Sequence, residues 1–296
     1  LNSSVVGGQC NTASAACTFI GGGAKNIACG NYSSVVGGTL NTASATLSFI
    51  GGGYQNSLLT STVSAYDSGG SLISVTIGTG SVIVGGNLNT SSADNSFIGG
   101  GCNNKIPNGY REGSVIVGGT NNSTISGYYG PSFTDTFIGG GSNNKIESYG
   151  GAFLGGGYLN TISGAYYNTI VGGQSNKITG GYSFIGGGCN NTVSGYNSSI
   201  VGGTLNTASA ACSFIGGGEK NCILSTHPHA FIIGSNLTST AACTTFMNSV
   251  CIADKIDLGA FTSTSYKSGV TPINPIQNFY PSNGVGSDTT TDLAVD

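Results

Sequence analysis

The chain has 296 residues, a formal net charge of −3, only 6% charged residues and no tryptophan, while glycine alone fills 53 positions. So weak a charge gives no electrostatic footprint for nucleic acid. No apolar run is long enough for a membrane span, and no signal-peptide pattern opens the chain. The single methionine is Met247, so the chain is expected to start after processing or to belong to a longer product with flanking domains.

In chain order, the first feature is a motif that returns about fourteen times: a Ser/Thr-led apolar triplet, two or three glycines, then an asparagine. Ser4-Val5-Val6-Gly7-Gly8 leads to Asn11, and Thr18-Phe19-Ile20-Gly21-Gly22-Gly23 leads to Asn26. Counted on the first glycine, the undisturbed spacings alternate between 14 and 16 residues. Helical repeats need longer units with apolar residues at i, i+3 and i+4, whereas these are short β-branched runs cut by Gly and Asn. The sequence therefore predicts an all-β fold: a narrow parallel β-solenoid, or β-roll, of about fourteen coils of 14 to 16 residues, each coil one rung.

Two apolar columns precede the glycines. The last residue before them is aliphatic in every copy (Val6, Ile20, Val36, Ile50, Val84, Ile98 onward), and the residue before that is also apolar (Val5, Phe19, Val35, Phe49, Ile83, Phe97). Neighbouring strand residues face opposite ways, so one column is expected inside and the other outside. An exposed stripe of Phe and Val is an aggregation hazard, which a closed homo-oligomer removes. Phe19, Phe49, Phe97, Phe137, Phe153, Phe184 and Phe214 are accordingly candidates for a trimer interface or the core. A weaker column after the asparagine (Ala13, Ala28, Ala43, Ile106, Ile146, Ile162, Ile178, Val193, Ala208, Ile223) is expected inside. Asparagines at 11, 26, 41, 56, 89, 104, 144, 160, 176, 191, 206 and 221 tolerate the left-handed region and can bond their own turns, and a stacked asparagine ladder is expected.

Interruptions of the array follow. Residues 57–80 hold two β-rich runs around Asp67-Ser68-Gly69-Gly70, which reads as a hairpin. Smaller inserts span 105–113 and 123–135, with a lesser irregularity at 147–151. Their aromatic and basic residues, Tyr66, Tyr110, Arg111, Tyr128, Tyr129, Phe133 and Tyr149, are candidates for recognising a glycan or protein on a host surface. His227-Pro228-His229 holds the only two histidines. Read as extended chain, the pair points one way and is a candidate site for a transition metal, three copies offering six imidazoles around an axis. Residues 237–252 are expected to close the array. Residues 253–296, with Pro272, Pro275 and Pro281, read as a non-repetitive cap or tail. The nine cysteines, odd in number and without CxxC spacing, read as small apolar residues in a reducing compartment.

The repeating Ser-[Val/Phe]-[Val/Ile]-Gly-Gly-x-x-Asn-Thr-Ala-Ser pattern over about residues 1–236 resembles the head repeats of trimeric autotransporter adhesins, the YadA-like left-handed β-rolls. It is closer to the glycine-rich repeats of large-phage tail fibres and giant-virus surface fibres. The stretch from Ala230 to Phe246 is similar to the segment that closes such arrays, and the His pair resembles the iron-binding pairs of some trimeric phage fibres. The resemblance implies a homotrimeric fibre on a virion surface or tail, joined to other virion or filament components and working in attachment. The alternative is a bacterial cell-surface adhesin or extracellular filament subunit. No heptad stalk or membrane anchor accompanies the pattern.

The turns match neither a phosphate-binding loop, which ends Gly-Lys-Ser/Thr, nor the calcium-binding nonapeptide repeat, which needs an aspartate per turn. A fibre-borne glycan hydrolase needs paired acids, and the candidates Glu112, Asp135 and Glu147 are scattered. Ice binding needs a regular threonine array, and Thr12, Thr42, Thr90, Thr161, Thr192 and Thr207 recur in only about half the coils. No catalysis and no resident cofactor are expected.

Overall fold

The computed structural model describes residues 2–66, 72–107, 113–124, 136–148, 150–164 and 166–248; the expected C-terminal cap at 253–296 lies outside them. Among the described residues every regular element is a strand, most of them two residues long. They stack into one 15-stranded and one 13-stranded parallel sheet. A third line of parallel bridges, Gln9↔Ala24↔Thr39↔Tyr54 and onward to Glu219, joins successive coils between the two sheets. Backbone groups bond the next coil: the Val36 N–H donates to the Ile50 carbonyl at 3.0 Å, and the Thr42 N–H to the Asn56 carbonyl at 2.9 Å. Fifteen strands at the usual separation make a stack about 65 Å long.

The register corrects the sequence reading. Phe19 pairs with Ser34 and Ile20 with Val35, so the coils align on the last glycine and the asparagine, and the undisturbed period is 15 residues from Asn11 to Asn26 to Asn41 to Asn56. Gly21 of a three-glycine coil stands level with Val36 of a two-glycine coil, and counting from the first glycine manufactures the 14/16 alternation. The two apolar columns are therefore each split between inside and outside. Ile20, Ile50, Ile98, Ile138, Leu154, Ile185 and Ile215 from the last position share the buried interior with Val35, Ile83, Ile116, Ile170 and Ile200 from the penultimate one, all fully buried. The second sheet contributes the expected inner column from Ala28 to Ile223, with Leu58, Ser91 and Thr124 added.

The asparagines do more than tolerate a turn. Positive φ falls on the residue before each of them, as at Lys25 (55°), Leu40 (60°) and Gln55 (53°), and not on the asparagine itself. Asn41 is buried; its Nδ2 donates to the Gly37 and Gly53 carbonyls at 2.9 and 3.0 Å, and its Oδ1 accepts the Asn56 backbone N–H at 3.0 Å. The same Oδ1-to-N–H link runs unbroken from Asn11 to Asn221, including Asn122, which the sequence pattern had not included, and ends on the Leu237 N–H. The paired glycine has φ of 84° at Gly38, and a Cβ there would lie 2.2 Å from the Gly53 oxygen, so this position accepts no side chain.

This ladder fixes coil geometry. Between the first-sheet strand and the second-sheet strand every coil spends six residues, as from Gly21 to Asn26 or Val117 to Asn122, whereas the return connection varies from four residues upward. All the inserts leave at that one corner, which narrows their limits. Ser57–Leu58, Lys105–Ile106 and Ser123–Thr124 are strands of the second sheet, not parts of inserts as the sequence reading had it, and the strand Lys145–Ser148 runs into the irregularity expected at 147–151. The longest insert pairs Ser61–Tyr66 with Leu72–Ile77 in antiparallel register, Tyr66 opposite Leu72 and Ser61 opposite Ile77.

Two outcomes follow for stability. Asn41→Ala strands the Asn56 N–H and two glycine carbonyls inside the turn and is expected to cost about 3 kcal/mol, read as a lower thermal midpoint; Asn41→Asp, which keeps an acceptor but loses the donor, destabilises as well. Deleting residues 60–77 restores 15-residue spacing between Asn56 and Asn89. The shortened chain should keep its β-sheet circular dichroism and melting temperature, whereas removing 57–80 takes out the strand Ser57–Leu58 and should lower both.

Candidate functional surfaces

The two sheets present opposite chemistry to the outside. On the first sheet the outward residue alternates between Phe (Phe19, Phe49, Phe97) and Ser or Val (Ser34, Val82, Val115), and two residues later the order inverts between Gly (Gly21, Gly51) and Val (Val36, Val84). Each of the seven sequence-predicted phenylalanines lies over its own coil's glycine; a Cβ at Gly21 would meet the Phe19 ring at 3.4 Å and the Val36 carbonyl oxygen at 2.4 Å. Phe and Val thus share one stripe, Phe19, Phe49, Phe153 and Phe184 remaining 36–41% exposed and Val36, Val84, Val117, Val171 and Val201 47–50% exposed. Phe137 and Phe153, in consecutive coils, stack with centroids 5.2 Å apart and planes 2° from parallel. The second sheet's outward column reads Thr12, Ile27, Thr42, Ser57, Thr90, Lys105, Ser123, Lys145, Thr161, Lys177, Thr192, Thr207 and Cys222, a hydroxyl and lysine face broken by Ile27 and Cys222.

Of the insert residues, Tyr66 sits at the tip end of the hairpin strand, while Tyr110, Arg111, Tyr128, Tyr129, Phe133 and Tyr149 lie outside the described residues, as do Glu112 and Asp135. Glu147 is ion-paired with Lys145. Where the hairpin rejoins its coil, one side chain that sequence reasoning passed over holds it. Asp94 Oδ1, from the following coil, accepts the Gly78 N–H at 2.6 Å, the Thr79 N–H at 2.7 Å and the Thr79 hydroxyl at 3.0 Å.

The histidines do not lie in extended chain. Pro228 and His229 form a turn, and His229 has φ of 58°, so the premise that the two rings point the same way does not hold. His227 Nδ1 is 2.8 Å from the Ser239 hydroxyl, itself buried, which leaves Nε2 as its outward nitrogen. Among the described residues no group of three or more His, Cys, Asp or Glu side chains gathers to hold a metal, and the eight described cysteines are free thiols. Glu219 bonds Lys220 at 2.8 Å and raises its pKa above the ordinary lysine value; both side chains are exposed.

No protein-family model matches the chain, and no curated protein sequence matches it.

The insert corner carries a second unexpected column. From Cys17 to Cys212, the residue two positions before the first-sheet strand is left-handed wherever it is described: Cys17, Tyr32, Leu47, Gly80, Asn95, Gly113, Gly151, Tyr167, Tyr182, Asn197 and Cys212 have φ between 48° and 83°. Aligning the sequence on the Ser/Thr before each first-sheet strand, as in Tyr32-Ser33-Ser34 and Tyr182-Ser183-Phe184, would have exposed this column; aligning on glycines hides it.

Asp94→Ala should lower stability by about 2 kcal/mol through the unpaired N–H groups it leaves, measured as a shift in denaturant midpoint, while Asp94→Asn, which retains an acceptor oxygen, should lose less.

Proposed function

We propose that the chain is a structural fibre subunit, homotrimeric, that mediates attachment of a virus or phage particle to a surface. The observation that supports this reading is the unbroken Phe/Val stripe on the outer face of the first sheet. A solenoid this thin buries little of its own surface, and a continuous exposed apolar stripe marks an interaction site. Cyclic association sets the same stripe of every copy against a common axis and leaves the Thr/Ser/Lys face of the second sheet in water. Three copies is the number implied by the likeness of the repeats to viral, phage and autotransporter fibre repeats. Heights along the axis are then layers of Phe or of Val, alternating except where Phe137 and Phe153, and Phe214 and Phe231, fall in consecutive coils, with each interface Phe seated over its glycine so that rings and branched side chains interleave.

The repeat positions are committed to interior, stripe or turn, so recognition of a host glycan or protein falls to the insert corner, where length varies without disturbing the asparagine ladder. This reading assigns no catalytic residue.

Sedimentation equilibrium should return three chain masses. Phe137→Asp combined with Phe153→Asp should yield monomer or insoluble protein, because each buried aromatic contributes about 2–3 kcal/mol and a buried unpaired carboxylate opposes association. A stable soluble wild-type monomer overturns the trimer. Immunogold labelling of the source particle should mark its fibres, and label confined to the particle interior overturns the attachment role.

A further inference from the structure

Three tyrosines stand where the backbone disfavours them. Tyr32, Tyr167 and Tyr182 have φ of 59°, 57° and 53°, a region that Gly and Asn enter readily and bulky side chains do not. The same column holds Cys17, Leu47, Gly80, Asn95, Asn197 and Cys212 elsewhere, so the fold does not require an aromatic there. Burial does not compensate, since these three side chains are 53–58% exposed. The turn itself therefore does not select an aromatic ring, and the exposed faces of these rings are open to a partner.

Two of them form part of a cluster. Tyr167 lies against Gly151, where an added Cβ would come within 2.6 Å of its ring. Its centroid is 5.4 Å from that of Tyr182 and 6.3 Å from that of Tyr166, and Tyr196 is 53% exposed one coil further on. Exposed or half-buried hydroxyls at Ser163, Thr179 and Ser194 flank the same corner. From residue 148 to residue 218, Lys177 is the only Asp, Glu, Lys, Arg or His.

We propose that Tyr166, Tyr167, Tyr182 and Tyr196 form a platform for a neutral, unbranched glycan lying along the solenoid axis. An aromatic ring with a polar edge receives the C–H face of a pyranose while its hydroxyl and the neighbouring Ser and Thr meet the sugar hydroxyls. Coils about 4.8 Å apart set successive rings under successive sugar units. The lack of charge removes the partner that an anionic ligand needs. Four partly exposed tyrosines also fall short of the roughly 800 Å² per side of a stable protein interface. This deepens the attachment reading and rests on it for its biological use, but glycan binding is a property of the folded chain and is measured separately from its mass.

The experiment is calorimetric titration of the full chain with maltohexaose, cellohexaose and chitohexaose, with melting temperature and sedimentation mass recorded on the same samples. At least one hexaose should bind, more tightly than its disaccharide. Tyr167→Asn and Tyr182→Asn should each weaken binding at least tenfold while leaving the melting temperature equal or higher, because asparagine is native to this column. Tyr32→Asn, remote from the cluster, should bind as wild type. The proposal is overturned if no hexaose binds, if both cluster variants bind as wild type, or if they lose binding together with a lower melting temperature, which assigns the rings to packing. A monomeric mass with intact glycan binding overturns only the trimer.

Discussion

The hydrogen bond from each asparagine amide oxygen to the next asparagine's backbone N–H is the constraint on which the rest of the molecule depends. With Nδ2 bonded at once to its own turn and to the next coil's glycine, the asparagine fixes both the shape of one turn and its height above the next. A turn so determined has no room for an added residue, and its six-residue length is kept in every coil. Variation is displaced to the opposite connection, which lacks a continuous side-chain ladder and relies on Ser/Thr hydroxyls such as Ser48, donating 2.7 Å to the Ala45 carbonyl. Asn168 enters that corner once, accepting the Ser183 N–H and donating to the Gly180 carbonyl, and so copies the main ladder for a single coil.

From the fixed turn follows the two-faced cross-section. Strands only two residues long place one residue inside and one outside, and the narrow interior takes both small residues, as at Ala28 and Ala43, and larger ones, as at Leu58 and Ile106, along the same column. The outward residues are free to specialise. On one sheet they became a Phe/Val stripe in which glycine spacing and ring placement are matched coil by coil; on the other they became threonine, serine and lysine. A single chain thus carries an apolar line on one sheet and a largely polar line on the other.

The solenoid was legible in the sequence because its period, its β-branched pairs and its Gly-Asn turns repeat; the inner second column was read correctly for the same reason. The phase was not legible from the first glycine. Gly21 and Val36 occupy one level, and only the pairing of Phe19 with Ser34 shows that Ile20 and Val35 share the core while Val36 is outside. Asn122 escaped because Asn121-Asn122 offers two candidates and the preceding Val117-Gly118-Gly119 coil is offset by an insert of three residues. The left-handed tyrosines escaped for a different reason: φ is a backbone property, and nothing in a tyrosine announces it. His227 and His229 misled because alternation was assumed for a segment that Pro228 turns.

Near-identity between coils has a kinetic side. Thr39-Leu40-Asn41-Thr42-Ala43-Ser44-Ala45 is matched residue for residue at 204–210, nine coils further along the stack. Since each coil contacts only its neighbours, a growing stack gains nearly the same energy from a wrong coil as from the right one, and a chain of perfectly equal repeats would fold into slipped assemblies that expel a coil as a loop. The inserts at residues 59–80, 107–113 and 125–135 differ in length and cannot exchange places. They serve as milestones along the stack: a segment docked one rung out of place carries its insert to the wrong height, so the irregular corner keeps count for the regular one.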